Sequence, residues 1–375
     1  MTISTLPTPS LLLDLDRFEA NCARALARAA ALGVSFRPHL KTMKSAEAAR
    51  VALGAETGPI TVSTLREAEY FHAAGFGDVF YAVCVTPDKL ARAAALIAAG
   101  AGLSLLVDSA AAVGALGVAA ARHGVTFDAW IEVDSGEHRT GLAADDPALV
   151  ALGHLIARTP GVRLKGVATH AGHSYGCGSP AKLRALAEVE RAVTVAAADA
   201  LRGAGVACPH VSVGSTPTFF HAEHLTGVTE VRAGVYMAGD LVQAELGSCA
   251  LTDIAASVLA TVVSHRGTPA QVVLDAGGLA LSKDRGDAPT DPQAGYGRLI
   301  DAGGGDTLGL PLVAGVYQEH GIVPLADPAL FDRLPIGSRV RVLPNHVCMT
   351  AAMYEAFTLV RGQTVVGRWT RVNGW

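Results

Sequence analysis

A few short stretches of this sequence hold residues whose type and spacing could do chemistry. Lys41 lies in the run Arg37-Pro38-His39-Leu40-Lys41-Thr42, at the end of an apolar segment. A lysine held partly out of water binds its proton less tightly and can attack a carbonyl as an amine. The plainer reading is a solvated lysine at a helix start. Lys44, three residues on, competes for the role and is expected to face solvent or a phosphate. Gly214-Ser215-Thr216 and Gly234-Val235 offer backbone N–H groups and hydroxyls where helices begin, which favours a phosphate dianion. Ser-Thr-Pro reads equally well as an ordinary helix start. His346 and Cys348 stand two apart in what reads as an extended segment, so imidazole and thiolate can face one ion. That donor pair suits Zn²⁺ better than Mg²⁺ or Ca²⁺, whereas a satisfied histidine beside a buried cysteine is the bland alternative.

Other polar groups cluster in the same kind of stretch. His138, Arg139, His170, His173 and Tyr175 could meet a phenolate, a carboxylate or an aromatic face. His170 and His173 are not read as a metal pair, because a glycine-containing loop separates them and no helix aligns them. His320 is a further acid–base candidate without a spacing argument. The remaining histidines read as structural or surface groups.

The elements that must position these residues follow a regular beat. Ser10–Asp14, Val34–His39, Ile60–Ser63, Asp78–Val85, Leu103–Val107, Ala129–Val133, Leu164–His170 and His210–Val213 are short apolar or β-branched runs. Ala-rich segments at helical spacing separate them, and many end at glycine. Eight strands alternating with helices predict an α/β chain with a closed (β/α)8 barrel, a doubly wound open sheet being the alternative. Barrel chemistry sits at the C-terminal ends of the strands, and the polar runs fall there. After about residue 240 the pattern turns to β-rich runs, among them Ile254–Val263, Arg339–Leu343 and Tyr354–Val360. The expected division is therefore a barrel over 9–240 and a mostly antiparallel β-domain over 241–375, joined by residues 1–8. The glycine-rich stretch from Gly286 to Gly305 is expected to be flexible.

Composition narrows the function classes. Among 375 residues, Lys and Arg number 30 and Asp and Glu 34, a net charge of −4 that excludes a dedicated nucleic-acid binder. Half the residues are hydrophobic and 17% charged, enough for a large core and against disorder. The longest apolar stretch, Ala93–Val107, is shorter than the roughly 20 residues that span a bilayer. No secretory signal is visible and the 6 cysteines lack paired spacing, so a cytoplasmic protein with no membrane partner is expected.

Taken in order, the runs resemble a known family. Thr8-Pro9-Ser10, Arg37 through Ser45, Asp134-Ser135-Gly136-Glu137-His138-Arg139-Thr140-Gly141 and His170-Ala171-Gly172-His173-Ser174-Tyr175 carry the likeness. Val213 through Thr218, Leu274-Asp275-Ala276-Gly277, Gln318-Glu319-His320-Gly321 and Pro344-Asn345-His346-Val347-Cys348 continue it. Together they are similar to the D-threonine aldolase/D-serine dehydratase family, pyridoxal-phosphate enzymes with a fold like that of alanine racemase. The resemblance covers nearly the whole chain.

It implies that Lys41 is the Schiff-base lysine and that Arg139 approaches the cofactor's phenolic oxygen. His170 belongs to the same cofactor pocket, and Arg232 approaches the ring nitrogen. Tyr175, Ser215, Thr216, Gly234 and Val235 would hold the phosphate, and His346 and Cys348 the divalent metal, Zn²⁺ ahead of Mn²⁺ or Mg²⁺. It also implies a homodimer acting on a small D-amino acid. Met43 replaces a histidine frequent in relatives, and Ala233 a common proline. Aldolases of the family tend to carry His-x-Asp and dehydratases His-x-Cys, so the expected reaction is dehydration of a D-3-hydroxy amino acid to a 2-oxo acid and ammonia. Retro-aldol cleavage to glycine and an aldehyde is the alternative. A non-catalytic pyridoxal-phosphate-binding protein is the alternative of another class, disfavoured because such a carrier needs neither the β-domain nor the metal pair.

Overall fold

A computed structural model describes residues 1–286, 295–305, 307–327 and 329–375. The chain divides into two compact units, Ala23–Gly234 with Gly374–Trp375, and Met1–Cys22 with Val235–Asn373.

The first strand of the alternating pattern, β1 (Ser10–Asp14), lies outside the barrel and belongs to the sheet of the other unit. The barrel strands are β2 (Ser35–Phe36), β3 (Pro59–Val62), β4 (Asp78–Cys84), β5 (Gly102–Val107), β6 (Phe127–Glu132), β7 (Val162–Ala168), β8 (His210–Val213) and β9 (Glu230–Val231). They hydrogen-bond in the order β2-β9-β8-β7-β6-β5-β4-β3, every pair parallel. The seam is drawn together by a bridge between His39 and Thr61, with Leu40 N–H donating to Thr61 O at 2.8 Å. The result is a nearly closed (β/α)8 barrel. Its eighth place is taken by β9, whose two residues are too few to show the alternation by which a strand is read.

Helix boundaries follow from local chemistry. Thr64, Ser109, Asp146 and Ser179 each accept a backbone N–H at the start of a helix, a cap worth about 1 kcal/mol. Inside the barrel, Phe80, Leu106, Trp130 and Ala168 pack as one apolar cluster, with the Phe80 and Trp130 rings stacked at 5.2 Å. Side chains alternate along a strand, so Glu132 shares Trp130's face, and His170 that of Ala168. Polar groups therefore sit above apolar ones at the strands' C-terminal ends.

The second unit is built on β10 (Ala256–Gly267), a long strand that pairs antiparallel with β1, β11 (Ala270–Leu274) and β15 (Arg339–Leu343). Also in this sheet are β12 (Arg298–Asp301), β13 (Gly315–Val316), β14 (Gly321–Pro324), β16 (Ala356–Arg361) and β17 (Thr364–Thr370). Among the described residues, the only parallel pair of this sheet is β1 with β16. Ile3, Leu12, Leu259 and Val360 form one of its buried clusters, which is where Leu12 of β1 finds apolar partners. Within the stretch expected to be flexible, Arg298–Asp301 is instead a strand paired with β15, while 287–294 lie outside the described residues.

Candidate active site

Lys41 follows β2 at the barrel's C-terminal end, and its backbone N–H donates to His39 Nδ1 at 3.4 Å. Among the described residues, no ion pair ties its ammonium. Lys44 differs from expectation. It adopts a left-handed backbone (φ 51°), and its ammonium lies 3.3 Å from Glu67 Oε1, a fully buried carboxylate. A buried carboxylate must be paired or hydrogen-bonded, so Lys44 is committed to the core. Lys44→Met is expected to cost a few kcal/mol of stability by leaving Glu67 without its cation, yet to retain cofactor uptake. Thermal melting with and without pyridoxal phosphate checks both halves. Met43 is wholly buried, which places it in packing.

Two neutral imidazoles flank Lys41. Burial, with the charges of Lys41, His170 and Arg232, holds His39 well below the ordinary histidine range. Burial, then Lys41, depresses His170 to about 3. His170 Nδ1 lies 2.9 Å from Gly214 O, so the neutral ring carries its hydrogen there and leaves Nε2 as an acceptor. A depressed folded-state value makes a contribution that is present above the unfolded value near 6.5 and lost as pH falls towards 3. His170→Gln should therefore flatten the loss of stability across that window, measured by denaturant unfolding at stepped pH. An unchanged slope would show that His170 is not held neutral.

The anion cradle separates into two roles. Ser215 caps the helix Thr216–His221 through a reciprocal box with Thr218, and its Oγ also meets Ser174 Oγ at 2.8 Å. Its hydroxyl thus serves the fold. Thr216 Oγ1 is buried without a hydrogen-bond partner, an arrangement that costs about 1–3 kcal/mol unless a ligand or water completes it. A Cβ at Gly234 would lie 2.6 Å from His39 O, so this backbone approaches the His39–Lys41 segment as only glycine can. These features fit a phosphate group. Val235 opens the short turn Val235–Met237 that begins the other unit.

Two loops carry these groups, and Glu190 joins them. This buried carboxylate, from helix Pro180–Gly203, accepts N–H bonds from Ala171 and Gly214, both at 3.1 Å. Burial pushes it up against those hydrogen bonds. Tyr175 lies in the turn Gly172–Gly176, and Gly172 leaves space that Glu137 fills. Arg139 is half-exposed and pairs with Glu137 at 3.4 Å, near enough to His170 to influence it. Arg232 is buried, reaches Ser212 Oγ and Thr169 O, and lies over the Phe80 ring at 5.1 Å.

In the second unit, His346 caps the short helix Val347–Ala351 and Cys348 lies in its first turn. The expected strand geometry is therefore wrong for this pair, which is brought together by a helix start. His346 and Cys348 are hydrogen-bonded side chain to side chain. His346 Nδ1 lies 2.7 Å from Asp284 Oδ2, so an ion would be met by Nε2 and would take the place of the proton shared with Cys348. Asp240 accepts the Val347 N–H at 3.1 Å, and burial raises it to about 6. Burial opposes a charge on His346, but Cys348, Asp240 and Asp284 outweigh it and raise the imidazole to about 10. A thiol and two carboxylates that favour a positive charge are the donor chemistry a divalent cation needs. Neither carboxylate has a spacing signal, since Asp284 lies 62 residues from His346.

Among the described residues, one group of three possible ligands has its donor atoms within 4.8 Å of one another: Cys84, Asp108 and Glu132. They end or follow β4, β5 and β6. The Cys84 thiol donates to Glu132 Oε2 at 3.0 Å. Burial and the two carboxylates push that thiol up, so it is held protonated.

Comparison with known proteins agrees with this architecture. Residues 13–242 match the alanine racemase N-terminal domain, and 255–360 match a putative serine dehydratase domain. The chain is 47% identical to the D-threo-3-hydroxyaspartate dehydratase of Delftia sp. (strain HT23), over 100% of this chain and 99% of the relative. It is 32% identical to a D-serine dehydratase of Dictyostelium discoideum (97% and 96% covered) and 31% identical to a D-threonine aldolase of Arthrobacter sp (98% and 92%). The solved Delftia dehydratase superposes with a TM-score of 0.94 at 47% identity, covering 100% of both chains. A cysteine-to-alanine mutant of a D-threo-3-hydroxyaspartate dehydratase, solved in a metal-free form, gives 0.95 at 46% identity, again over 100% of both. The chain belongs to the alanine-racemase-like family of lyases that holds the D-serine and D-threo-3-hydroxyaspartate dehydratases and the D-threonine aldolases.

Proposed function

We propose that this protein dehydrates a D-3-hydroxy amino acid to a 2-oxo acid and ammonia, with pyridoxal phosphate held by Lys41 and a divalent cation held by His346 and Cys348. The observation that carries the reading is the setting of Lys41: of the two lysines in its segment it alone is left out of an ion pair, between neutral imidazoles, in the unit that also holds the open Thr216 hydroxyl.

When bound, pyridoxal phosphate supplies an electron sink for charge at the substrate's Cα, and the cation supplies a Lewis acid for the 3-hydroxyl. The chain's own residues do the rest. Lys41 would anchor the cofactor, and its amine would be placed to carry the Cα proton. His39 and His170, kept neutral, add no cation beside that amine. Thr216 Oγ1 and the Gly234 backbone would hold the phosphate with Tyr175 and Val235, at a helix start that Ser215 fixes. Arg139 faces the phenolic oxygen and Arg232 the ring nitrogen. His346 and Cys348 orient the hydroxyl, with Asp284 fixing the imidazole. The substrate loses its Cα proton and its 3-hydroxyl as water to leave an enamine, a proton shift from nitrogen to Cβ turns this into an imine, and hydrolysis of that C=N bond releases ammonia.

His-x-Cys supports dehydration over aldol cleavage and zinc over harder ions. The exposed side chains of Met349 and Met353, on and beside the helix that follows His346, support a homodimer. Six cysteines that form no disulfide support a reducing, cytoplasmic setting. Among the described residues, no helix is long and apolar enough to cross a membrane.

Reconstitution with pyridoxal phosphate, borohydride reduction and peptide mass mapping test the anchor. The label is expected on Lys41. A label on Lys44, or no uptake, would overturn the reading. D-substrates, and not their L-enantiomers, are expected to be consumed.

A further inference from the structure

The barrel interior contains a line of charged and polar groups of which the proposed chemistry uses only the last, Arg232. Asp78 opens β4, at the end of the barrel opposite the strands' C-terminal mouth, and its side chain is half-exposed. It takes both guanidinium nitrogens of Arg37, at 2.7 and 3.2 Å. Arg37 is buried, and its Nε reaches both oxygens of buried Glu230, at 3.2 and 3.0 Å. Glu230 Oε1 accepts from Ser212 Oγ at 2.7 Å, and Ser212 Oγ in turn accepts from Arg232. Arg232 then donates to Thr169 O at 2.6 Å, beside His170.

A barrel core is ordinarily filled with branched apolar side chains. Buried ion pairs contribute little net stability over apolar side chains of equal volume, because desolvation offsets their attraction. Stability alone therefore gives no reason for this line. Its geometry does. Arg37, Glu230, Ser212 and Arg232 are all buried, and each fixes the next, ending on the Arg232 guanidinium after β9 at the mouth. Burial works against the charge on Arg232, and Glu230 is the largest of the groups that sustain it.

We propose that Glu230 and Ser212, anchored through Arg37 by Asp78, are positioning residues for Arg232, so that the far end of the barrel sets the guanidinium that meets the cofactor ring. This rests on the reading of Arg232 and Lys41 given above. It makes Asp78, remote from the reacting atoms and half in solvent, a determinant of cofactor binding.

The test uses Asp78→Asn and Ser212→Ala in the full chain, with Asp78→Glu as the conservative control. Pyridoxal-phosphate dissociation constants are measured by equilibrium dialysis, the visible band of the bound cofactor by absorption, and stability by thermal melting. Ser212→Ala is expected to weaken cofactor binding about tenfold and move the band, because a charge-assisted hydrogen bond is lost. Asp78→Asn is expected to do the same by a smaller factor, and Asp78→Glu to restore the unaltered band. Variants that melt lower but keep the unaltered dissociation constant and band would overturn the proposal, leaving the line as packing. An unaltered protein with no cofactor band would overturn the reading of Lys41 itself, and the positioning role with it.

Discussion

Lys41→Ala is expected to abolish turnover and the cofactor's covalent attachment, a loss of at least about 10³-fold. On the proposed reading the change removes both the anchoring amine and the group that carries the Cα proton. Neither neighbour can replace it. His39 and His170 are neutral but hold their rings in fixed hydrogen bonds, and the Lys44 ammonium is committed to Glu67. Residual pyridoxal phosphate should still bind non-covalently through the cradle around Thr216. Absence of covalently trapped cofactor after borohydride treatment, with melting unchanged, is the signature. A Lys41→Ala protein that keeps both band and turnover would remove the basis of the proposed function.

Cys348→Ala is expected to lose metal and turnover together, by about 10²-fold or more, while the pyridoxal-phosphate band persists. The separation is the informative part, because cofactor and cation are assigned to different residues. With the thiolate gone, His346 has Asp284 and Asp240 near it among the described residues, a harder donor set that favours Mg²⁺ or Mn²⁺ over Zn²⁺. Metal content by elemental analysis and turnover with each added ion check this. Asp284→Asn should weaken metal affinity by about 10- to 100-fold, as loss of a carboxylate orienting a ligating histidine does.

Much of this was legible from residue order alone. Alternating apolar runs and glycine-terminated helical segments predicted the barrel, and the structure has it. The polar runs after Leu40, Val133, Ala168 and Val213 all lie at strand ends. What escaped was set by distance in sequence. Ser10–Asp14 carries the same apolar pattern as a barrel strand, and only its pairing with β10 and β16 distinguishes it. Glu230–Val231 is too short to show periodicity. Glu190, Glu230, Asp240 and Asp284 are carboxylates in ordinary surroundings until folding buries or pairs them, and no local spacing marks such residues. The His346–Cys348 pairing was anticipated for the wrong geometric reason, since an N-cap and the first helical turn can also bring residues two apart together.

Lys44 and Ser215 illustrate how a structure divides roles that a sequence leaves shared. Both were candidates beside a neighbour of similar chemistry. In each case one member of the pair is tied into the fold and the other, Lys41 or Thr216, is left with its polar group open.

The most direct test of the account is to follow one D-3-hydroxy amino acid, D-threo-3-hydroxyaspartate, by NMR with the unaltered enzyme, before and after chelation and zinc restoration. The account predicts oxaloacetate and ammonium, stopped by the chelator and restored by zinc. Glycine and glyoxylate, or dehydration indifferent to the chelator, would contradict it.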